Sequence, residues 1–486
     1  MTAIAAEWAK FRTVRGWVVA AVAAAAVIAG LALSSGMHGT CTGDSCAQPT
    51  GPGGEAVSDS FYFVHQRLAG DGTITVRVDS LTGRIPAAPG PGTRPGLVPW
   101  AKAGIIVQAG LAQGSAYAAM MLTGSHGVRM QDDYTGDIAA PAIGARWLRL
   151  VRDGARVTGY ESADDVRWVK VGTVTLPGQS VQAGLFATSP QYSATSLGSS
   201  QVSGGPSQAT GVLDHVQLSW GGGTWTGSDI GGTHGGRAGP PAGYRDAGGT
   251  FTVTGTGDIA PAVSGASGLG VTIAQTLLGV FVALIVLAVV GAMFITSEYR
   301  RGLIAVTLAA CPRRGRVLAA TATVAGAVAF AAGLAGSAVA VVGGQLMLRS
   351  SGVYVAPVSA LTQLRVIAGT AAVLAVCAVI AVAVGTALRR GAAAIAAVIV
   401  ITVVPYLLGV AMPVLPAAAT GWLMRVTPAA AFAIQQTAVQ YRQVDNVYLP
   451  SEGYYPLAGW AGFAVLCGWA VAALVLAAIL LNRRDA

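Results

Sequence analysis

The chain has 486 residues, of which 53% are hydrophobic and only 10% are charged. This composition excludes an ordinary soluble globular protein, in which about a quarter of the residues are charged. The net charge of +9 does not indicate nucleic-acid binding, because the chain has only three lysines (Lys10, Lys102 and Lys170) and its arginines stand in small clusters at the ends of apolar segments.

Six apolar segments are long enough to cross the hydrocarbon core of a bilayer, which needs about 20 helical residues. They cover residues 17–33, 269–295, 317–347, 365–388, 392–415 and 456–481. The first segment follows Lys10, Arg12 and Arg15, so a cleaved signal peptide is the alternative interpretation. Its apolar run is longer than a typical signal core and its small-residue cleavage pattern is poor, which favours a retained transmembrane helix.

Arginine clusters indicate how these segments are oriented. One cluster precedes the first segment, and others follow the second, fourth and sixth, at 300–316, 389–390 and 483–484. Because cytoplasmic loops carry the excess of Lys and Arg, this pattern predicts a multi-pass plasma-membrane protein with both termini in the cytoplasm. Residues 1–35 then hold an N-terminal amphipathic helix and the first transmembrane helix, 36–268 lie outside the cell, and 269–486 hold five further transmembrane helices.

Residues 36–268 differ from the rest of the chain in being rich in Gly, Ser, Thr and Asp. From about residue 60 to residue 220, short segments of alternating character are separated by turn residues, and WLRLVRDGARVTGYES is the clearest example. In that segment Asp153-Gly154 supplies the positive φ angles of a tight hairpin turn. The sequence therefore predicts a membrane all-α domain of six transmembrane helices, joined to an extracellular all-β sandwich with Gly- and Pro-rich linkers.

Two cysteines, Cys41 and Cys46, lie close together in the segment predicted to be outside the cell. A disulfide is chemically permitted there, since the extracellular compartment is oxidising. The spacing CTGDSC is also compatible with metal ligation, but no second pair of ligands is nearby. We therefore predict a Cys41–Cys46 disulfide.

Several enzymatic functions are disfavoured by what the chain lacks. None of its lysines stands after a glycine-rich loop and before Ser or Thr, as a P-loop requires. Residues 36–268 contain only two glutamates, Glu55 and Glu161, and their aspartates are scattered, whereas a glycosidase needs a positioned pair of carboxylates. All five histidines lie in 36–268 and no carboxylate lies well inside an apolar segment, which disfavours proton-coupled transport. We expect neither catalytic residues nor a metal site.

Three segments resemble one family of membrane proteins. The start, AEWAKFRTVRGWV, resembles the N-terminal amphipathic helix of actinobacterial type-2 ABC exporter permeases, and SEYRRGLIAVTLAACPRRGRVLAA resembles the cytoplasmic loop after their second span. The end, TPAAAFAIQQTAVQYRQVDNVYLPSEGYYPLAGWAGFAVLCGWA, is similar to their last outer loop and helix. The resemblance implies six spans, a homodimeric or heterodimeric transmembrane pathway, and separate ATP-binding subunits. ATP and Mg would be bound by those partners and no cofactor by this chain.

The loop after the second span is the candidate site for coupling to an ATPase. It begins with Glu298, Tyr299, Arg300, Arg301 and Gly302, continues into apolar residues from Leu303 onward, and stops at a proline. These features predict a short helix along the membrane interface, with arginines that meet lipid headgroups. The resemblance implies that the helix docks on an ATPase; without it, an ordinary positive-inside loop explains the arginines equally well.

The segment predicted to lie outside the cell carries a second resemblance. PWAKAGIIVQ, ARWLRLVRDGARVTGYESADDVRWVKVGTVTL and AGLFATS resemble concanavalin-like (LamG-like) jelly-roll modules, many of which bind carbohydrate. Trp147, Tyr160 and Trp168 are candidate contacts for a glycan such as that of the cell wall, although alternating aromatic residues in a sandwich more often belong to the core. The alternative function is therefore a membrane-anchored glycan-binding or sensing protein that does not transport.

Overall fold

A computed structural model describes residues 3–38, 49–87, 92–141, 144–178, 180–195, 202–220, 223–232, 241–263, 272–310, 313–411, 415, 417–445, 448, 450 and 453–483. Cys41 and Cys46 lie outside these residues, so their disulfide stays a prediction.

The α-helices of the described residues form two groups, one before and one after a β-rich region. Their bounds are α1 Ala3–Thr13, α2 Arg15–His38, α3 Gly279–Arg300, α4 Leu303–Ala310, α5 Arg314–Ser350, α6 Ala360–Leu388, α7 Gly391–Thr402, α8 Val404–Tyr406, α9 Ala417–Val426 and α10 Gly459–Arg483. Short 3-10 helices cover Ile273–Leu277 and Pro428–Gln435.

Six helical segments of the described residues are long and apolar enough to cross a membrane, which confirms the predicted number. They are Arg15–Ser34, Ile273–Arg300, Arg314–Ser350, Ala360–Leu388, Gly391–Val410 and Gly459–Arg483. The fifth is not a continuous α-helix, a feature that hydropathy did not reveal. It breaks at Val403 and continues into a π-helical turn at Leu407–Ala411, because Pro405 has no N–H to continue the hydrogen-bond ladder.

The bundle packs through small residues as well as large ones. α5 contacts α2 where Gly336 stands so close that a methyl group in its place would lie 3.0 Å from the carbonyl oxygen of Ala25. The same helix contacts α6 at Gly333, where the corresponding distance to Ala371 Cα is 3.0 Å. These two glycines permit close contact between helix backbones, which favours helix association in lipid.

The β-rich region has strands from residue 57 to residue 261. They are β1 Val57–Asp59, β2 Phe61–Ala69, β3 Gly72–Pro86, β4 Thr93–Pro95, β5 Lys102–Gln108, β6 Tyr117–Thr123, β7 Val128–Asp132, β8 Gly136–Ala139, β9 Trp147–Asp153, β10 Arg156–Ser162, β11 Val169–Thr175, β12 Ser180–Thr188, β13 Tyr192–Thr195, β14 Val202–Gly205, β15 Gln208–Leu218, β16 Thr226–Ile230, β17 Gly243–Ala247, β18 Thr250–Gly255 and β19 Ile259–Pro261.

Two antiparallel sheets face each other, which confirms the predicted sandwich. In the part of the chain that the structure describes, one sheet has eight strands with the order β11-β10-β9-β3-β15-β18-β17, and β4 pairs with β3. The other has seven, with the order β16-β2-β12-β5-β6-β7-β8. Alternate residues of the facing strands, such as Ile74 and Leu150 in one sheet and Ile105 and Met120 in the other, fill the space between them.

The predicted hairpin joins β9 to β10, but its turn residues are Gly154 and Ala155, because Asp153 is still paired with Arg156. Gly154 has a positive φ angle of +58°, whereas Asp153, contrary to the prediction, does not. By contrast β2 and β3, which follow each other directly in sequence, belong to opposite sheets. The first and last strands of the domain pair with each other, Val57 opposite Pro261 and Asp59 opposite Ile259. This ribbon of β1 and β19 stands where the chain enters and leaves the sandwich.

Candidate functional site

The end of the helix bundle farthest from the sandwich is rich in arginine, and we call it the arginine-rich end. It contains α1, α4, the start of α5 and the last turns of α3, α6 and α10. Arg314 Nη1 donates to the carbonyl oxygen of Leu481 at 2.6 Å, which joins the start of α5 to the end of α10. The guanidinium of Arg389, at the C-terminus of α6, stands 5.3 Å from the ring centre of Tyr299.

The short helix α1 packs on this end through one face. Its Phe11 is 3% exposed and meets Phe294 of α3 edge-on, with ring centres 5.7 Å apart. Trp17, at the start of α2, contacts the same ring from 6.3 Å. Ile4 and Trp8 continue the stripe of Phe11 along the helix but are exposed, and the rings of Trp8 and Phe11 stack with centres 6.4 Å apart. α1 is thus an amphipathic helix with aromatic contacts to the first long helix after the sandwich.

A group of three charges, two buried carboxylates and a partly exposed ammonium, connects α1 to α3. Lys10 Nζ lies 2.6 Å from Glu7 Oε1 and 2.7 Å from Glu298 Oε1, and both carboxylates are buried. Burial alone would lower the pKa of Lys10, but hydrogen bonds and charge from Glu298 and Glu7 outweigh it and raise that pKa above its ordinary value. Lys10 therefore remains a cation, and we call Glu7, Lys10 and Glu298 the charge triad.

The six predicted coupling residues divide into two sets. Glu298 is 7% exposed and Tyr299 is half-buried, and both face neighbouring helices of the same chain. Arg300, Arg301, Gly302 and Leu303 are exposed at the junction of α3 and α4. The carboxylate of Glu298 binds Lys10 of the same chain, and its predicted coupling role stays a prediction.

The predicted interfacial helix after the arginines is present as α4. It exposes Leu303 (49%) and Val306 (67%) and buries Ile304. The turn that starts it needs a left-handed backbone at Gly302, whose φ angle is +68°. An apolar pair exposed beside Arg300 and Arg301 is a surface suited to a protein partner at the membrane interface.

Sequence reasoning missed the two residues of α1 that hold Glu298. Glu7 and Lys10 are spaced i, i+3, which places them on one helix face, and Lys10 is one of only three lysines in the chain. That spacing was a usable signal for an ion pair. The spacing did not indicate that Glu298 of α3 is a partner of Lys10, because residues 10 and 298 meet only after folding.

The three aromatic residues predicted in the sandwich do not lie in its core. Trp147 and Tyr160 are half-buried on the outer face of the eight-stranded sheet, while Leu148 and Leu150, which alternate with Trp147, face inward. Trp168 is also half-buried. The core interpretation of these residues was therefore wrong.

A cation covers part of this outer face. The guanidinium of Arg149 stacks 3.6 Å from the ring centre of Trp168, and Arg149 lies opposite Tyr160 in the paired strands. Trp147 meets the ring of His215 at 5.2 Å. Aromatic rings beside a cation form a surface that stacks on flat or apolar ligand faces.

The sandwich contacts the helix bundle through the segment between the 3-10 helix Pro428–Gln435 and α10. Gln443 is 4% exposed, and its side-chain amide donates to the carbonyl oxygens of Tyr134 (3.1 Å) and Thr135 (3.2 Å) in the β7–β8 turn. Val444 packs with Ala260 near the end of the sandwich. The segment that contains Gln443 and Val444 therefore connects the membrane domain to the β7–β8 turn of the sandwich.

A buried carboxylate lies next to this contact. Tyr134 Oη donates to Asp59 Oδ2 at 2.7 Å, and the backbone N–H of Gly114 donates to the same oxygen at 2.8 Å. Burial raises the pKa of Asp59 to about 6, although these two hydrogen bonds lower it. Among the described residues no group of three or more His, Cys, Asp or Glu side chains is placed to hold a metal ion.

Comparison with known proteins gives one informative match. A family model described as "ABC-2 family transporter protein" matches residues 114–486, which is more than half of the chain. None of the curated proteins matches the chain.

Two solved structures show a weak likeness. One is a functionally unknown protein from Saccharomyces cerevisiae, with 15% identity, 34% of this chain and 76% of that chain covered, and a TM-score of 0.18. The other is SCP-B, a member of the Eqolisin family of peptidases in a complex with the tripeptide Ala-Ile-His, with 10% identity, 40% and 98% covered, and a TM-score of 0.21. These TM-scores are too low to support any argument about this chain.

Proposed function

Because the chain belongs to the ABC-2 family of transporter proteins, we propose that this membrane permease is half of the transmembrane pathway of an ABC exporter. Two permease chains, identical or different, would assemble with two separate ATP-binding subunits that hold ATP and Mg. The observation that carries the proposal is the exposed surface of Arg300, Arg301, Leu303 and Val306, which is joined to the bundle through α3.

The proposed orientation places the arginine-rich end in the cytoplasm and the sandwich outside the cell. Arg12 and Arg15, the cluster at 300–316 and the pair 389–390 all belong to this one end. The excess of arginine on cytoplasmic loops supports that assignment. ATP is available only on the cytoplasmic side, so the orientation also puts α4 where an ATPase can reach it.

The charge triad gives α4 a mechanical link to the rest of the bundle. When an ATP-binding subunit closes, force on Arg300, Arg301 and Leu303 passes directly into the last turn of α3. Glu298 in that turn binds Lys10, so α1 and α2 move with α3. The role of Glu298 is therefore to position α1 against α3, and the docking contact itself is assigned to the exposed residues that follow.

For the sandwich we propose glycan binding at the outer face that carries Trp147, Tyr160 and Trp168. Half-buried aromatic rings beside Arg149 support this role, since sugar rings stack on aromatic faces and offer hydroxyl groups to a guanidinium. If glycan binding without transport were the whole function, no ATP-binding subunit would be needed.

Purification of the full chain from its native membrane in mild detergent tests the main proposal. We expect stoichiometric ATP-binding subunits and vanadate-sensitive ATP hydrolysis in the same complex. A permease that purifies without any ATP-hydrolysing partner, but binds glycan through its sandwich, would favour the membrane-anchored binding protein instead.

A further inference from the structure

A cavity of about 490 Å³ opens at the sandwich end of the helix bundle. Its wall is formed by Thr362 and Arg365 of α6, by the segment 436–440, and by residues 455–459 at the start of α10. It lies apart from the charge triad and from α4, which occupy the opposite end of the same helices. The segment 436–440 belongs to the same loop that reaches the sandwich through Gln443.

Arg365 is the only charged residue of α6, a helix of 29 residues. Its Nη2 donates to the backbone carbonyl of Gln436, and its buried Nε has no hydrogen-bond partner in the part of the chain that the structure describes. Within those same residues, no carboxylate forms an ion pair with it. Arg365 is the sixth residue of α6, near the sandwich end of the bundle, and a guanidinium without a counter-ion is a candidate ligand for an anion such as a phosphate.

The other polar groups at the cavity also favour an anion. Thr362 offers a hydroxyl group, and the N-terminal ends of two membrane helices, α6 and α10, meet at the cavity wall. The unpaired N–H groups and partial positive charge of helix N-termini add to the charge of Arg365. The described residues that line the cavity contain no acidic side chain.

Exposed apolar side chains flank the cavity. Leu361 (80% exposed) and Leu364 (62%) are spaced i, i+3 on α6, next to the stripe of Thr362 and Arg365. Trp460 (63%) stands on the first turn of α10, and large amphipathic rings of this kind lie at the headgroup level of bilayers. A ligand with one end at Arg365 would therefore have lipid-facing surface beside its other end.

We propose that this cavity binds the phosphate group of an anionic amphiphile, with Arg365 as its principal ligand and the acyl chains against Leu361 and Leu364. The phosphate can come from a membrane lipid or from a soluble phosphate compound, and the apolar rim favours the lipid. Since the segment 436–440 also leads to Gln443, an occupied cavity fixes the loop that holds the sandwich.

The test is native mass spectrometry and lipid titration of the purified full chain, with phosphatidylglycerol, phosphatidylcholine and inorganic phosphate as probes. Arg365→Gln removes the charge, and Arg349→Gln is the matched control, since Arg349 is exposed at the same end of the bundle on α5. Ala438→Trp fills the cavity from the loop without altering Arg365.

We expect wild type and Arg349→Gln to retain phosphatidylglycerol in preference to phosphatidylcholine, and Arg365→Gln to bind it about tenfold more weakly or worse. Ala438→Trp should show the same loss, which guards against a folding defect specific to Arg365→Gln. Binding of inorganic phosphate at Arg365 without lipid would support the anion site and overturn its lipid source. Equal phosphatidylglycerol binding by wild type and both cavity variants would overturn the proposal. No ATP-binding subunit is used, so failure here leaves the exporter proposal unaffected.

Discussion

Lys10 Nζ lies 2.7 Å from Glu298 Oε1, across 288 residues of sequence, and this contact fixes α1 to the last turn of α3. Glu7 contributes a second carboxylate to the same ammonium group at 2.6 Å. One oxygen of each carboxylate, Glu7 Oε2 and Glu298 Oε2, is buried without a hydrogen-bond partner in the described part of the chain. The two acids therefore depend on Lys10 as their cation.

Lys10→Met should release α1 more readily than Glu298→Gln does. The first change leaves two buried carboxylates without a cation, whereas the second leaves the Glu7–Lys10 pair intact. We expect a loss of about 2 kcal/mol in α1 docking for Lys10→Met, less than for a fully buried pair because the Lys10 side chain is 38% exposed. Limited proteolysis between α1 and α2 measures how readily α1 is released. The triple variant Glu7→Gln, Lys10→Met, Glu298→Gln carries no charge in the triad and should recover most of the docking; failure to recover would contradict the electrostatic account.

Leu303→Asp should separate ATPase association from folding. Leu303 is 49% exposed on α4, so an aspartate there is solvated in the free permease but desolvated in a docked complex. We expect at least about a tenfold loss of ATP-binding subunit in co-purification, with unchanged expression and oligomer size. Leu111→Asp is the matched control, since Leu111 is 41% exposed in the sandwich, at the other end of the molecule. Equal recovery of the ATPase with both variants would assign α4 to the membrane surface alone.

Gln443→Leu should loosen the sandwich from the membrane domain without unfolding either. The change removes both donors to Tyr134 and Thr135 and leaves two carbonyl oxygens unpaired, at a cost of about 1–3 kcal/mol. Hydrogen exchange should rise in the peptides around 133–136 and 441–444 and stay unchanged in β9 and β10. Asp445→Asn, on the same loop but exposed and outside the cavity wall, serves as the control and should leave exchange as in wild type.

The sandwich should lose stability as pH rises through about 6. The pKa of Asp59 is raised from 3.8 to about 6 in the folded state, so the folded chain binds a proton that the unfolded chain has released. The stabilisation that this proton provides is fully present below pH 4 and is lost as pH rises past 6. The sandwich should therefore be about 1 kcal/mol more stable at pH 5 than at pH 7.5. Asp59→Asn should lose this dependence in urea unfolding followed by tryptophan fluorescence. An identical pH profile in the variant would assign the effect to other carboxylates.

Mass spectrometry of the non-reduced protein should find Cys41 and Cys46 joined. Closing so short a loop contributes less than the roughly 3 kcal/mol of a 15-residue loop, so reduction should change the stability of the sandwich only slightly. Two free thiols in protein isolated without reductant would rule out the disulfide.

Segment-level features of this fold were predictable because hydropathy and turn chemistry act locally. Twenty consecutive apolar residues have one stable environment, and a glycine between two alternating segments favours a tight turn, so the six spans and the hairpin β9–β10 follow from sequence. The turn itself lies one residue later than predicted, at Gly154-Ala155. The break at Val403 escaped prediction because hydropathy does not change at Pro405.

The faces of the sandwich were harder to predict, because each set of alternate residues in β9 and β10 contains polar members. In β9, Arg149 lies on the outer face and Arg152 on the inner face. The guanidinium of Arg152 is buried and donates hydrogen bonds to the carbonyl oxygens of Gly70 and Gly178. In β10 the inward set includes Glu161, which is fully buried. The core could therefore not be assigned from period two alone, and the sequence left both a core and a surface position open for the aromatic residues.

The pairing of Val57 with Pro261 has a consequence for the architecture of the whole chain. Opposed residues of an antiparallel ribbon have Cα atoms only about 5 Å apart, so the sandwich begins and ends at nearly one point in space. Domains with adjacent termini are the ones that tolerate insertion into a host. Residues 57–261 therefore have the geometry of an inserted domain, and we expect their replacement by another compact domain with neighbouring ends, such as a fluorescent reporter, to leave α2 and α3 in place.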